Sequence, residues 1–226
     1  MDGARHLAGV EIALDPGFKT YWRTPGDSGL PPAFDWSGSE NVAAADLRWP
    51  APTRQEDAGG TAYVYGGAVI LPVMVTPKEA GKPVRLKLAI DYGVCKDICI
   101  PARAELSIDL SGESPHRATI EAALAKVPRP TPLGAKAEPA IERIEGRDKG
   151  SYLVTVRVPD GTQPTLFAEG PENWYLSTSL PDHGNRFVVS IEDRPKGASG
   201  SIPVRLTLVA GSQATETEVS LDAGLK

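Results

Sequence analysis

Hydrophobic residues in this chain recur at every second position, in short runs that end at glycine or proline. Val10, Ile12 and Leu14 share one face of such a run, and a turn signal follows at 15–17. The alternation returns in the segments AVILPVMV, VRLKLAIDYGV, SYLVTVRVPDG, RFVVSIED, IPVRLTLVAG and TETEVSLDAG. A period of two is that of a β-strand with one buried face. Short strands separated by turn signals predict an all-β fold of antiparallel sandwiches.

One segment, 114–136, interrupts this pattern. It opens with Ser114 followed by proline, continues as a short helical run to about Lys126, and then becomes rich in proline. A helix followed by a proline tract is typical of a connector between domains. Because 226 residues exceed the usual size of one domain, we predict two β-sandwich domains, 1–113 and 137–226, joined by this linker.

Composition excludes several functional classes. The formal net charge is -5 and no long basic run is present, so nucleic acid is not an expected partner. The sequence has neither an apolar stretch of the ~18 residues that span a bilayer nor a signal peptide in MDGARHLAGVEI. It also lacks a G-x-S-x-G nucleophile motif and a glycine-rich phosphate loop. We therefore expect no cofactor, and the compartment has to be inferred from the chemistry.

The two cysteines, Cys95 and Cys99, are separated by three residues in the stretch DYGVCKDICIPARAELSIDL. The strands on either side of them form a predicted hairpin. On each strand the apolar residues occupy one phase and the cysteine falls in the other, together with charged residues. Alternation therefore predicts that both cysteines lie on the polar face, away from the core.

The hairpin register can be predicted from the same residues. Setting Cys95 opposite Cys99 matches opposite charges and apolar side chains across the strands: Arg85 with Asp109, Asp91 with Arg103, Leu88 with Leu106, and Leu86 with Ile108. Pro101 has no N–H, so its pair should not be hydrogen-bonded, and by alternation the same holds for the cysteine pair. Such pairs bring Cα atoms to about 4.5 Å, a separation that a disulfide accepts.

Three interpretations of the cysteine pair stay open from the residues alone. A structural disulfide would close a very short loop and contribute only about 2 kcal/mol. A zinc site needs about four ligands, and the other soft candidates, His6, His116 and His183, are far away in the sequence. The third interpretation is a redox-active pair, which exchanges with the thiols of a partner.

The residues around the cysteines resemble a known family. YGVCKDICIPA, preceded by GFKTYWRTPGDSGLPPAFDWSGSENV and YVYGGAVILPV, resembles the N-terminal periplasmic domain of the DsbD family of thiol:disulfide interchange proteins. The ScsB-type members, with two immunoglobulin-like modules, are the most similar. The resemblance is specific over about 7–110, and beyond it only a β-rich second module is matched. It implies two immunoglobulin-like antiparallel β-sandwich domains, although the spacing of the cysteines is shorter than in better-known DsbD proteins.

The resemblance implies a relay function without a cofactor. Such a domain receives electrons from the thioredoxin-like domain of a membrane reductase and reduces disulfides of periplasmic thioredoxin-fold proteins or of a peroxiredoxin. The chain would then be a protein-disulfide reductase in the periplasm of a Gram-negative bacterium, as the N-terminal part of an inner-membrane protein. The alternative is a tandem immunoglobulin-like binding or assembly module with an inert structural disulfide.

The resemblance also implies roles for individual residues. Cys99 would form the mixed disulfide with the partner, and Cys95 would resolve it. The family shields its pair with a cap loop, and the best match, GGTAYVYGG, makes candidates of three residues: Tyr63, Val64 and Tyr65. Two further residues match an aromatic segment that lies near the site in the family: Tyr21 and Trp22.

Overall fold

The computed structural model describes residues 5–27, 29–57, 59–112, 114–148 and 150–224. The chain divides into two compact units, Met1–Val127 and Pro128–Lys226. Strands make up 58% of the described residues and form several antiparallel sheets, which confirms the predicted all-β, immunoglobulin-like class. The boundary between the units falls inside the segment 114–136.

The first unit contains nine strands and one helix in its described part. Their bounds are β1 His6–Ala13, β2 Lys19–Gly26, β3 Ala33–Asp35, β4 Val42–Leu47, β5 Thr53–Asp57, β6 Gly60–Gly66, β7 Ala68–Pro77, β8 Val84–Cys95, β9 Cys99–Leu110 and α1 Arg117–Leu124. One sheet has the order β1-β7-β4, and the other has the order β3-β8-β2-β6-β5, with β9 paired to β8. The alternation read from the sequence appears directly in β8, where Val84, Leu86, Leu88 and Ile90 are buried.

The helix α1 belongs to the first unit and packs against β7 and β1. Its buried residues are Ile120 and Ala123. Ser114 lies before the helix, and its hydroxyl accepts a hydrogen bond of 3.1 Å from the backbone N–H of His116. The predicted helical run is therefore present, and its regular part begins at Arg117.

The β8–β9 hairpin has the predicted register. Cys95 lies opposite Cys99, and the charged and apolar pairs follow as expected: Arg85 with Asp109, Asp91 with Arg103, Leu88 with Leu106, and Leu86 with Ile108. The guanidinium of Arg85 lies 2.7 Å from the carboxylate of Asp109, and this hydrogen bond lowers the pKa of the aspartate. A slip by one residue would have placed the charged side chains on the face that β8 buries.

One expectation for β9 was wrong. Its apolar phase was expected to face the core, yet Leu106 and Ile108 are 52% and 58% exposed. The two side chains line a cleft of about 710 Å³ between β1, β8, β9 and α1, so this face of β9 is only partly covered. Alternation predicts which face a residue occupies but not whether another sheet covers that face.

The second unit is described by eight further strands. Their bounds are β10 Arg129–Pro130, β11 Ala140–Gly146, β12 Ser151–Arg157, β13 Pro164–Glu169, β14 Tyr175–Thr178, β15 Arg186–Asp193, β16 Ser201–Ala210 and β17 Gln213–Asp222. They form two four-stranded sheets, β10-β17-β16-β13 and β11-β12-β15-β14. Buried residues such as Val154, Leu166, Phe187 and Leu206 form one core in this unit.

Candidate redox site

A disulfide joins Cys95 and Cys99 at the tip of the β8–β9 hairpin. Their Cα atoms are 4.1 Å apart, close to the separation expected for a pair without backbone hydrogen bonds. The three-residue loop between them is closed by a hydrogen bond of 3.2 Å from the amide of Lys96 to the carbonyl oxygen of Ile98. The hairpin register therefore places the two sulfurs within bonding distance.

The two cysteines differ in exposure. Cys95 is 1% exposed, whereas Cys99 is exposed at the start of β9. The expectation that both lie on the polar face, away from the core, is thus wrong for Cys95, which belongs to a buried apolar cluster. It does lie in the phase opposite to the Val84–Ile90 face of β8, but residues from β2 and β6 cover it there. An attacking thiolate consequently has access to Cys99 rather than to Cys95.

Three residues cover Cys95: Tyr21 of β2, and Ala62 and Val64 of β6. They are brought there by pairing between distant strands, since Tyr21 lies opposite Val64 and Lys19 lies opposite Cys95. The hydroxyl of Thr20 adds a hydrogen bond of 2.9 Å to the carbonyl oxygen of Gly93. A small apolar cluster therefore encloses one sulfur of the disulfide.

The hydroxyl of Tyr21 lies 3.1 Å from Sγ of Cys99. The ring itself is buried, with 3% of the residue exposed, so the hydroxyl reaches the exposed sulfur from inside the cluster. Because a disulfide sulfur carries no hydrogen, the hydroxyl is the donor of this hydrogen bond. Tyr21, matched to the site on resemblance, is thus in contact with the cysteine pair.

The residues expected to form a cap loop lie in a strand. Tyr63, Val64 and Tyr65 belong to β6, where they are 3%, 0% and 8% exposed. Alternation sends Val64 towards the disulfide and the two tyrosines to the other face of the sheet. Tyr63 packs edge to face against Trp22, with ring centroids 6.2 Å apart, and Tyr65 donates a 2.6 Å hydrogen bond to the carbonyl oxygen of Pro50. The cap-loop expectation is therefore corrected: pairing of β6 with β2 and β5 holds these residues in the sheet.

A segment that sequence reasoning passed over lies against the site. A Cβ added at Gly29 would meet the Tyr21 ring at 2.5 Å, and one added at Gly93 would meet Cβ of Leu30 at 3.1 Å. Nearby, Asp27 accepts a 2.7 Å hydrogen bond from the amide of Thr61 at the start of β6. Two features of the sequence could have indicated that this segment lies against the site. One is Gly29, because a glycine permits close approach to an aromatic ring, and the other is the turn sequence PGDSG.

The tip of the hairpin exposes apolar and charged side chains together. Ile98 is 73% exposed and Ile100 is 51% exposed, on either side of Cys99. The ammonium of Lys96 lies 5.6 Å from the centre of the Phe18 ring. Exposed apolar groups beside an accessible sulfur are suited to contact with a protein partner.

Within the described residues, no group of three or more His, Cys, Asp or Glu side chains is placed to hold a metal ion. Both cysteines are in the disulfide. In the same part of the chain, no helix has the length and apolar character needed to cross a membrane. The chemistry that the site offers is that of the disulfide itself.

Comparison with known structures places the fold. The chain superimposes on the crystal structure of the N-terminal periplasmic domain of ScsB from Proteus mirabilis with a TM-score of 0.75 and 20% sequence identity. The match covers 98% of this chain and 89% of that one. The endo-fucoidan hydrolase MfFcnA9 from glycoside hydrolase family 107 gives a TM-score of 0.25 at 12% identity, over 91% of this chain and 34% of the hydrolase. That value is too low to support an argument.

Comparison of sequences places the family. The family described as thiol:disulfide interchange protein DsbD, N-terminal, matches residues 1–111, which include both cysteines and the residues that cover them. No curated protein matches the chain. The family match and the Cys95–Cys99 disulfide together support a role in thiol:disulfide exchange. Residues 1–111 therefore belong to the family of DsbD N-terminal domains.

Proposed function

We propose that this chain is a periplasmic protein-disulfide reductase that relays electrons through Cys95 and Cys99. It receives them from the thioredoxin-like domain of a membrane reductase and reduces disulfides of periplasmic thioredoxin-fold proteins or of a peroxiredoxin. The family match supports the thiol:disulfide exchange chemistry. The periplasmic location is supported by the described location of the ScsB domain that shares its fold.

The observation that carries the proposal is the unequal exposure of two bonded sulfurs. Cys95 is 1% exposed and enclosed by Tyr21 and Val64, whereas Cys99 is exposed. Thiol–disulfide exchange requires a thiolate to reach one sulfur and displace the other. A pair with one accessible and one buried sulfur gives a single point of entry, so Cys99 forms the mixed disulfide and Cys95 resolves it.

Reduction of a partner then proceeds in two balanced steps. The thiolate of Cys99 attacks the partner's disulfide, and one partner sulfur leaves as a thiolate and takes a proton from water. The thiolate of Cys95 next attacks Sγ of Cys99, which releases the second partner sulfur and forms the Cys95–Cys99 bond. Two electrons have passed to the partner, and its disulfide has become a dithiol.

The test is a measurement of the reduction potential in a glutathione or dithiothreitol buffer, followed by transfer to a protein disulfide. We expect a potential above about -300 mV, and faster electron transfer from the reduced chain to an oxidised thioredoxin-fold protein than to glutathione disulfide. A potential below about -300 mV without transfer would identify an inert structural disulfide. In that case the rival function, a tandem immunoglobulin-like binding module, would stand.

A further inference from the structure

We propose that the hydroxyl of Tyr21 is a catalytic group of this site, which stabilises the thiolate of Cys99 whenever that sulfur is released from a disulfide. The inference deepens the proposed function and rests on it for the reaction. It assigns to Tyr21 a chemical role beyond that of a side chain lining the site.

The hydrogen bond itself is the first support. The hydroxyl oxygen of Tyr21 lies 3.1 Å from Sγ of Cys99 and donates to it. A neutral disulfide sulfur is a weak acceptor, whereas a thiolate carries a full negative charge and accepts a much stronger hydrogen bond. The interaction is therefore stronger with the charged sulfur than with the disulfide, and a difference of this kind accelerates a step that develops the charge.

The second support is the fixed position of the ring. Tyr21 is 3% exposed and lies across from Val64 in the β2–β6 pairing. Its other contacts leave little room: a Cβ added at Gly29 would fall 2.5 Å from the ring, and one added at Gly93 would fall 3.4 Å from it. A hydroxyl held in place before the reaction needs no reorganisation when the charge forms.

The reaction in which Tyr21 acts is the reduction of this chain by a dithiol donor. A donor thiolate attacks Sγ of Cys99, the Cys95–Cys99 bond breaks, and Cys95 leaves as a thiolate that takes a proton. The second donor thiolate then attacks the donor's own sulfur in the mixed disulfide. Cys99 leaves as a thiolate towards the Tyr21 hydroxyl, the donor has become a disulfide, and two electrons have passed to this chain.

Charged groups near the pair are the alternative source of thiolate stabilisation. These groups are Lys19 of β2, Asp91 of β8, Arg103 of β9, and Lys96 and Asp97 in the loop between the cysteines. Positive and negative groups are both present, and the ammonium of Lys96 lies over the Phe18 ring. All of them are unchanged by replacing Tyr21 with phenylalanine, so a change in Cys99 reactivity in that variant reports on the hydroxyl.

The test measures the reactivity of Cys99 without a protein partner. In the full chain carrying Cys95→Ala, Cys99 is the only thiol, and its alkylation by iodoacetamide can be followed from pH 5 to pH 10. Adding Tyr21→Phe should move the inflection of the rate profile to higher pH and lower the rate at pH 7 by roughly three- to tenfold. Tyr63→Phe in the same background removes a hydroxyl from the other face of the sheet and should leave the profile unchanged.

A second variant covers the case in which Tyr21→Phe perturbs the fold. Gly29→Ala keeps the hydroxyl but displaces the ring, so it should move the profile in the same direction. Gly66→Ala is its control, because an added Cβ there meets nothing within 4 Å. Parental profiles in both Tyr21→Phe and Gly29→Ala would overturn the inference. A parent chain that fails to exchange with protein disulfides would instead contradict the proposed function, and it would leave the alkylation result standing.

Discussion

Cys95 and Cys99 are bonded to each other, yet Cys95 is 1% exposed and Cys99 lies open at the hairpin tip. The difference does not come from the hairpin, since the two residues face each other in its register. It comes from β2 and β6, whose Tyr21, Ala62 and Val64 enclose Cys95, whereas at Cys99 the Tyr21 hydroxyl contacts the sulfur and leaves the residue exposed. The relationship makes the two cysteines chemically unequal.

The first prediction follows from that inequality. With Cys95→Ala, the exposed Cys99 should form a mixed disulfide with an oxidised thioredoxin-fold protein, and the complex should persist because no resolving thiol remains. With Cys99→Ala, the enclosed Cys95 should form little or none. Non-reducing electrophoresis with mass spectrometry of the linked peptides measures both. Equal trapping by the two variants would contradict the assignment of roles.

The second prediction concerns the disulfide as a staple. Closing a loop as short as this one stabilises the folded chain by about 2 kcal/mol at most. We expect Cys95→Ala/Cys99→Ala to lower the melting transition of the first unit only slightly, as measured by calorimetry. Leu71→Ala, at a core position that is 1% exposed, is the comparison and should cost about 2–5 kcal/mol. A double cysteine variant less stable than Leu71→Ala would favour a structural disulfide.

The hairpin register could be predicted because local constraints agree. The matched charges of Arg85 and Asp109, the missing N–H of Pro101 and the alternation of apolar residues all select one pairing, which the structure confirms. Each constraint lies within one pair of adjacent strands. Fold class follows from the same kind of evidence, because the period of two persists along both units.

The burial of Cys95 could not be predicted in the same way. The residues that cover it come from β2 and β6, which lie far away in the sequence, and alternation within β8 says nothing about them. The same limit explains the error for Tyr63: the match of GGTAYVYGG to the family's cap loop implied a loop, whereas pairing with β2 and β5 makes it a strand. Tertiary pairing outweighs local signals of this kind.

The third prediction separates the two faces of β6. Tyr63→Ala should destabilise the first unit by about 3–5 kcal/mol, because the ring packs against Trp22 and is 3% exposed. It should leave the rate of disulfide reduction by dithiothreitol near the parental value. Val64→Ala should instead accelerate reduction by dithiothreitol, since it opens the cluster beside Cys95. It should also cost less stability than Tyr63→Ala.

Calorimetry and a stopped-flow reduction assay on the same two variants make this comparison. If Tyr63→Ala instead accelerated reduction without a loss of stability, the tyrosine would shield the site after all. The assignment of Tyr63 to the packed face of β6, away from the disulfide, would then be wrong.

The last prediction concerns the apolar side chain at the hairpin tip. Ile98 is 73% exposed and lies in the loop between the cysteines, where a protein that reaches Cys99 must also cover it. Burial of such a side chain contributes about 1.5–3 kcal/mol. Ile98→Ser should therefore slow exchange with a protein disulfide by about tenfold or more, while reduction by dithiothreitol, which buries no such surface, stays near the parental rate. Leu180→Ser, at a position that is 65% exposed in the second unit, is the matched control and should leave both rates unchanged. Equal slowing of the protein and dithiothreitol reactions by Ile98→Ser would place the effect in the disulfide itself and remove the argument for docking at the tip.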